Sequence, residues 1–294
     1  MWSIEVLVAA MHQKDAELYF KLGLKTNAVI ANQTDHYEYE EYSIDGNTLK
    51  VVSTKDRGVG RNRNIALLHA TADLCVIGDE DLIYNPDYPQ VVSRAFNELS
   101  DADIIIFHLD FLPASSVSIV DKRCIGKIKR VRLFNFARYG APRIVFKRES
   151  IAKANIWFSL LYGGGARYSA GEDTLFLREA LRKGLKIYTY PQKIADVRQE
   201  VSTWFMGYTE KYFFDKGVVI ANVFPRVKYL AGLYLAIRFK ARTEFSYRQL
   251  IRQIYAGIKA FRDGASYDQW KEREIRGGEK NDGEKPLLEA NVRK

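Results

Sequence analysis

Three carboxylates follow an apolar run in the stretch CVIGDEDLIY, residues 75–84. Asp79, Glu80 and Asp81 would repel one another unless positive charge sits among them. Hard oxygen ligands of this kind hold a divalent cation, and a cation held by one or two carboxylates commonly also holds substrate phosphates. The plain alternative is a solvated turn that blunts the end of a strand.

Two further stretches bear on the choice. Upstream, GVGRNRNIALLHATADLCVIGDED places an Arg-Asn pair, Arg63-Asn64, early in a helix that precedes the acids. A helix N-terminus offers free N–H groups to an anion, and Arg63 adds a permanent charge; alone, Arg63 would read as a surface arginine. Downstream, GEDTLFL sets Glu172 and Asp173 in the first turn of a helix behind a Gly-rich loop. Acids there stabilise the helix dipole, which is the bland account. A carboxylate presented to a cleft can also take a proton from a hydroxyl, as an alcohol nucleophile requires.

The elements that must position these residues alternate. Apolar strand signals occur at 4–10, 27–33, 49–54, 73–79 and 103–111, with helix signals at 14–24, 60–72 and 88–100 between them. Continuous apolar strands separated by helices indicate an α/β fold, an open, mostly parallel central sheet flanked by helices. Ligands of such sheets bind beyond the C-terminal ends of the strands, which draws attention to His12, Gln13, Asn32 to Asp35, Lys55 to Arg57 and Asp79 to Asp81. A strand and short helix are expected over 143–155, a helix over 172–186 and a strand over 187–197.

Composition bounds the partners. The net charge of +9 is concentrated: residues 217–262 hold nine Lys or Arg and a single acid, Glu244. Acidic partners follow, whether nucleotide phosphates, anionic lipid or nucleic acid. The segments FPRVKYLAGLYLAIRFKAR and SYRQLIRQIYAGIKAFR mix apolar, aromatic and basic residues and suit a membrane interface, or ordinary core with a solvated basic face. Two cysteines make no disulfide framework and there is no metal-type Cys/His spacing, as expected in a reducing compartment. The start of the chain lacks the pattern of a signal peptide, and the most apolar later stretch is too short to cross a bilayer.

Taken in order, VLVAAMHQ, IANQTD, the GVGRNRN to DED block, GEDTLFL and STWFMGYTEKYFFDKG resemble family 2 glycosyltransferases of the GT-A fold, especially bacterial enzymes of capsular and other surface-polysaccharide synthesis. The resemblance covers residues 4–217. It implies a Rossmann-like domain over 1–216; charge and composition place a basic amphipathic helical extension over 217–262 and a polar, disordered tail over 263–294. It implies Asp81 as the main ligand of Mn²⁺ or Mg²⁺, with Asp79 touching ribose or metal. Asn32 and Asp35 fall where the family contacts the base, and Arg63 near the nucleotide. Asp173 resembles the catalytic base, and Glu172 and Trp204 would shape the acceptor subsite. The sequence departs from the family at Leu82, where an acid is frequent, and at His12.

The expected activity is inverting, metal-dependent transfer of a sugar from a nucleotide-sugar donor, UDP-linked by the resemblance. The acceptor would be a polyprenyl-diphosphate-linked saccharide at the cytoplasmic face of the bacterial membrane, and no nucleic acid would be involved. Two rivals are a nucleotidyltransferase, which needs a Gly-rich loop after the first strand that VAAMHQKDAEL lacks, and a non-catalytic basic module binding nucleotide or nucleic acid.

Overall fold

The computed structural model describes residues 1–14, 16–112, 124–198 and 207–282. They form two compact units, Met1–Met206 and Gly207–Lys294.

The first unit opens with β1 (Ile4–Met11), α1 (Glu17–Lys21) and β2 (Asn27–Gln33). A hairpin of β3 (Glu38–Ile44) and β4 (Asn47–Thr54) follows, then α2 (Val59–His69), β5 (Leu74–Asp79), β6 (Leu82–Tyr84) and α3 (Tyr88–Glu98). Next come β7 (Ile104–Leu112), β8 (Lys129–Arg130), β9 (Ile144–Lys147), α4 (Arg148–Lys153), α5 (Glu172–Arg182) and β10 (Ile187–Arg198). The strands lie in one sheet in the order β3-β4-β2-β1-β5-β9-β7-β10-β6, with β8 paired to β10. Helix-flanked α/β architecture is as the apolar runs predict: β1, β2 and β5 are buried almost throughout.

Parallel pairing holds for β4-β2-β1-β5 and for β7-β10. Between these blocks β9 runs antiparallel to both β5 and β7, one antiparallel strand inserted in a sheet whose pairing is otherwise parallel at its centre. After β4 the chain crosses to the far side of β1 to form β5, and at that reversal of strand order, beyond the C-terminal ends of β1, β2 and β5, sheets of this kind have their ligand crevice.

Three local differences from the sequence expectation have physical causes. The first helix is confined to Glu17–Lys21, because the chain turns into the left-handed region at Gly23 (φ 67°). The edge strand β3 carries no apolar alternation, yet Asp45 and Gly46 both have positive φ (49° and 79°), the turn that closes a two-residue hairpin. β6, directly after the three acids, pairs with β10 and buries Leu82 and Tyr84.

The second unit consists of α6 (Glu210–Val223), α7 (Lys228–Lys240), α8 (Tyr247–Asp263) and α9 (Tyr267–Asp282). Phe213, Ile220, Ala236, Leu250, Ile254 and Ile258 make its own core. The division falls at Met206/Gly207 and α6 runs unbroken through residue 216, whereas the sequence reading put a boundary there. Nor is 263–294 wholly irregular. α9 forms because Tyr267 and Trp270 pack their rings on Phe214, each with centroids 5.5 Å away. α6 and α8 approach closely: a Cβ on Gly217 would lie 2.0 Å from the Ile254 carbonyl oxygen.

Candidate active site

The crevice is furnished by register. Asp79 lies opposite Ala9 and Asn32 opposite Ala10, so the two residues end the strands on either side of β1. α2 begins just beyond. Its cap, Gly58, has φ 109°, and Val59 N–H donates to the Gly164 carbonyl (2.9 Å) in the Gly-rich loop. A Cβ on Gly60 would stand 2.2 Å from the Ser159 carbonyl oxygen, so this contact between helix and loop requires glycine.

Arg63 is the centre of the site. Its guanidinium is buried, donating to Asp79 Oδ1 (2.9 Å) and Glu172 Oε1 (2.8 Å), with the Phe158 ring 5.5 Å away. Burial works against its charge, but Asp79 and Glu172 together hold it ionised above the ordinary arginine range. The positive charge expected among the acids is therefore supplied in part by the protein itself, from α2. One guanidinium thereby links the ends of β5 and α5, 109 residues apart in sequence from Arg63 to Glu172.

The three consecutive acids have separate roles. Asp79 is paired with Arg63. Glu80 accepts from Met11 N–H (3.0 Å) and Gln13 Nε2 (3.1 Å), which fastens the loop after β1. Burial is the largest influence on Glu80 and raises its carboxyl above the usual range, while these two donors oppose the rise. Asp81 has no ion pair among the described residues. Desolvation first, then the charge of Asp79 and, less, that of Glu80, push its carboxyl up to about 7 against the lowering effect of its own backbone N–H, although the residue as a whole is exposed. A carboxyl destabilised by neighbouring negative charge is one that a cation relieves.

Among the described residues, no group of three or more His, Cys, Asp or Glu side chains could by itself hold a metal ion. The donor set instead suits a cation sharing the Asp81 and Asp79 carboxylates with a diphosphate, since Mg²⁺-type ions take few protein ligands beside phosphate oxygens.

Asp173 follows Glu172 in the first turn of α5, whose cap Gly171 has φ 112°. Its Oδ1 accepts from Thr174 N–H (2.6 Å) and Thr174 Oγ1 (3.2 Å). Its Oδ2 faces Gly140, where a Cβ would be 3.7 Å away. Glu172 is occupied by Arg63 and wedged against Gly163, so in this structure it braces the site.

Asn32 and Asp35 diverge. Asn32 is buried: its Oδ1 accepts from Gln13 N–H (3.0 Å), and its Nδ2 donates to the Gln13 carbonyl (2.8 Å) and Ser53 Oγ (3.1 Å). It shapes the crevice floor through the chain after β1. Asp35 is exposed and bonded to His36 Nδ1 (3.0 Å), a contact that lowers its carboxyl's titration range. Trp204 lies outside the described residues.

Sequence reasoning singled out Asn64 only as the neighbour of Arg63 and missed Asn62; both asparagines anchor α2. Asn62 Nδ2 donates to the Ala10 and Ala31 carbonyls (3.0 and 2.8 Å) at the ends of β1 and β2. Asn64 donates from Nδ2 to the Phe158 carbonyl and accepts from Phe158 N–H, both at 2.8 Å. Asparagines at alternate positions of the helical RNRN, residues 61–64, were the available signal: the two asparagines fix the backbone on both sides of Arg63.

No family model and no curated protein sequence matches the chain. Among solved structures, residues 1–349 of S. aureus TarS in complex with UDP-GlcNAc are similar, with TM-score 0.58 and 13% identity over 90% of this chain and 93% of that one. The same TarS fragment with UDP gives TM-score 0.56 and 12% identity over the same shares. A longer TarS structure gives 0.54 and 14%, over 90% of this chain and 44% of that one. The shared feature is the GT-A-like glycosyltransferase fold with helices C-terminal to it.

Proposed function

We propose that the chain is a nucleotide-sugar glycosyltransferase with a UDP-sugar donor. The observation that carries this reading is the ion-paired group Asp79–Arg63–Glu172 beside the unpaired Asp81, at the crevice of a fold shared with a protein crystallised with UDP-GlcNAc. A nucleotidyltransferase would need a phosphate-cradling glycine loop after β1; here Met11, His12 and Gln13 occupy that place. A non-catalytic basic module would have no use for acids gathered around a buried guanidinium.

In this reading Asp81 and Asp79 would hold Mn²⁺ or Mg²⁺ beside the donor diphosphate. The bound cation would neutralise charge that develops on the departing nucleoside diphosphate. Arg63 holds Asp79 in orientation through its guanidinium. Asp173 takes the proton of the acceptor hydroxyl as that oxygen bonds to the anomeric carbon. The bond from that carbon to the diphosphate oxygen breaks, and its electron pair leaves with UDP. Attack from the face opposite the leaving group inverts the anomeric configuration. By the resemblance Glu172, from its place beside Arg63, and Trp204 would shape the acceptor subsite; we take the acceptor to be a polyprenyl-diphosphate-linked saccharide of bacterial surface-polysaccharide synthesis, of capsular type within family 2. The enzyme then works peripherally at the cytoplasmic membrane face.

The test is UDP release from a panel of UDP-sugars with Mn²⁺. One donor should turn over, Asp81→Ala should abolish turnover, and Asp173→Asn should lower acceptor-dependent transfer about 10²- to 10⁴-fold with an unchanged melting temperature. Failure of every sugar nucleotide to turn over or to raise the melting temperature would overturn the reading.

A further inference from the structure

The sequence offers two basic, apolar segments to a membrane, and the structure distinguishes them. α8 is amphipathic, and its apolar face is consumed: Leu250, Ile254 and Ile258 are buried in the core of the second unit. α7 buries Gly232, Ala236 and Phe239. Its opposite face carries Leu230 (71% exposed), Leu233 (39%), Tyr234 (64%) and Ile237 (56%). These positions, i, i+3, i+4 and i+7, form one stripe along the helix. Nothing among the described residues covers it.

The charges around that stripe are of one sign. Between Lys216 and Thr243 there are six Lys or Arg and no acid. Arg226 and Lys228 stand at the start of α7, and Arg238, Lys240 and Arg242 at its end. None of them has a carboxylate partner among the described residues; Lys228 and Arg242 lie over the rings of Tyr229 and Phe239. A second copy of the chain would bring two such uncompensated cationic faces together, at a cost in repulsion. An anionic lipid surface presents the opposite charge and an apolar phase beneath it.

The geometry points to α7 as the element by which this protein lies on an anionic membrane, with Leu230, Leu233, Tyr234 and Ile237 in the acyl boundary and the flanking cations at the headgroups. Thirteen residues span about 20 Å, too short to cross a bilayer and suited to lying in its plane. No helix among the described residues is long and apolar enough to cross a membrane. Tyr234, with an apolar ring and a polar tip, belongs at such a boundary. This inference rests on the proposed action at a membrane surface and assigns that role to one helix face.

The experiment is co-sedimentation of the full chain with unilamellar vesicles of phosphatidylglycerol and phosphatidylcholine in equal parts, and of phosphatidylcholine alone. Wild type should bind the anionic vesicles and release them as salt rises. Leu230→Ser/Ile237→Ser should bind at least about tenfold more weakly, because two inserted side chains are withdrawn. Arg226→Gln/Lys228→Gln should lose roughly fivefold per cation on anionic vesicles. All four changed residues are outside the core, and matching circular dichroism melts confirm the fold. The inference is overturned if wild type binds neither vesicle, if the Leu230/Ile237 variant binds like wild type, or if sedimentation equilibrium shows a dimer that this variant abolishes. Hydrolysis of a soluble UDP-sugar, measured on the same samples, reports the transferase reading independently: turnover without vesicle binding refutes only the role of α7, and vesicle binding without turnover refutes only the transferase.

Discussion

At the crevice of the first unit a guanidinium is withdrawn from water and held between two part-buried carboxylates, whereas on α7 four large apolar side chains stand out in it. Both depart from the ordinary partition of residues, in opposite directions. The buried guanidinium persists because it has two carboxylate partners, so loss of either leaves it less compensated and its own loss leaves both acids without their cation. The exposed stripe has no internal partner, so the fold does not depend on it. Substitution should therefore read out as stability and catalysis in the first region, and as association alone in the second.

The largest effect is expected for Arg63→Met. It leaves Asp79 and Glu172 without their cation; breaking a fully buried pair costs about 3–5 kcal/mol, and because solvent still reaches both carboxylates the loss should lie at the lower end, about 3 kcal/mol. Urea unfolding measures the loss, and donor hydrolysis should vanish with it. A variant as stable as wild type would break the comparison, since the charges would then not be interdependent. In the second unit, Leu250→Ala should cost about 2–5 kcal/mol, because Leu250 is fully buried in the helical core.

Much of this was legible in the sequence. Apolar runs gave β1, β2, β4, β5 and β7, because strands buried on both faces need no alternation to be recognised. The two acidic stretches were found, and the structure joins them through Arg63, a connection that no spacing encodes. The β3 edge strand escaped because EYEEYSI is half-exposed and lacks a repeating apolar face, although its Asp45-Gly46 turn was a usable signal. Antiparallel β9 was read as a strand, but its direction depends on a connection that the residues 144–147 do not specify. Asn32 shows the other limit: its place at a strand end is visible in sequence, whereas its attachment to the Gln13 backbone arises only in the folded crevice.

Asp81→Asn should move stability and function in opposite directions. The Asp81 carboxyl is raised from 3.8 to about 7 in the folded chain, so its ionised form is penalised there. That penalty is absent below about pH 4, grows as pH rises and is complete above about pH 7. Removing the charge should therefore stabilise the metal-free protein at pH 8 and do nothing at pH 4. Solvent reaches Asp81, and screening reduces the gain to about 1 kcal/mol, a rise of roughly 2–4 °C in melting temperature. The same variant should lose the stabilisation that Mn²⁺ and UDP together give wild type. A fall in melting temperature at pH 8 would mean that Asp81 has a cationic partner and that the crevice is already neutralised.

The smallest effect is expected on α7, where it carries the most information. Leu230→Ala removes the same atoms as Leu250→Ala, but from a side chain already 71% exposed. In water the change should stay within about 0.5 kcal/mol, because little transfer energy was gained on folding and no cavity is left. The two leucines differ only in what surrounds them, so their paired unfolding curves measure how much the helical unit depends on each face of its helices. If Leu230→Ala destabilised the protein in water as much as Leu250→Ala, its side chain would be buried in solution, and α7 would have no free face for a membrane.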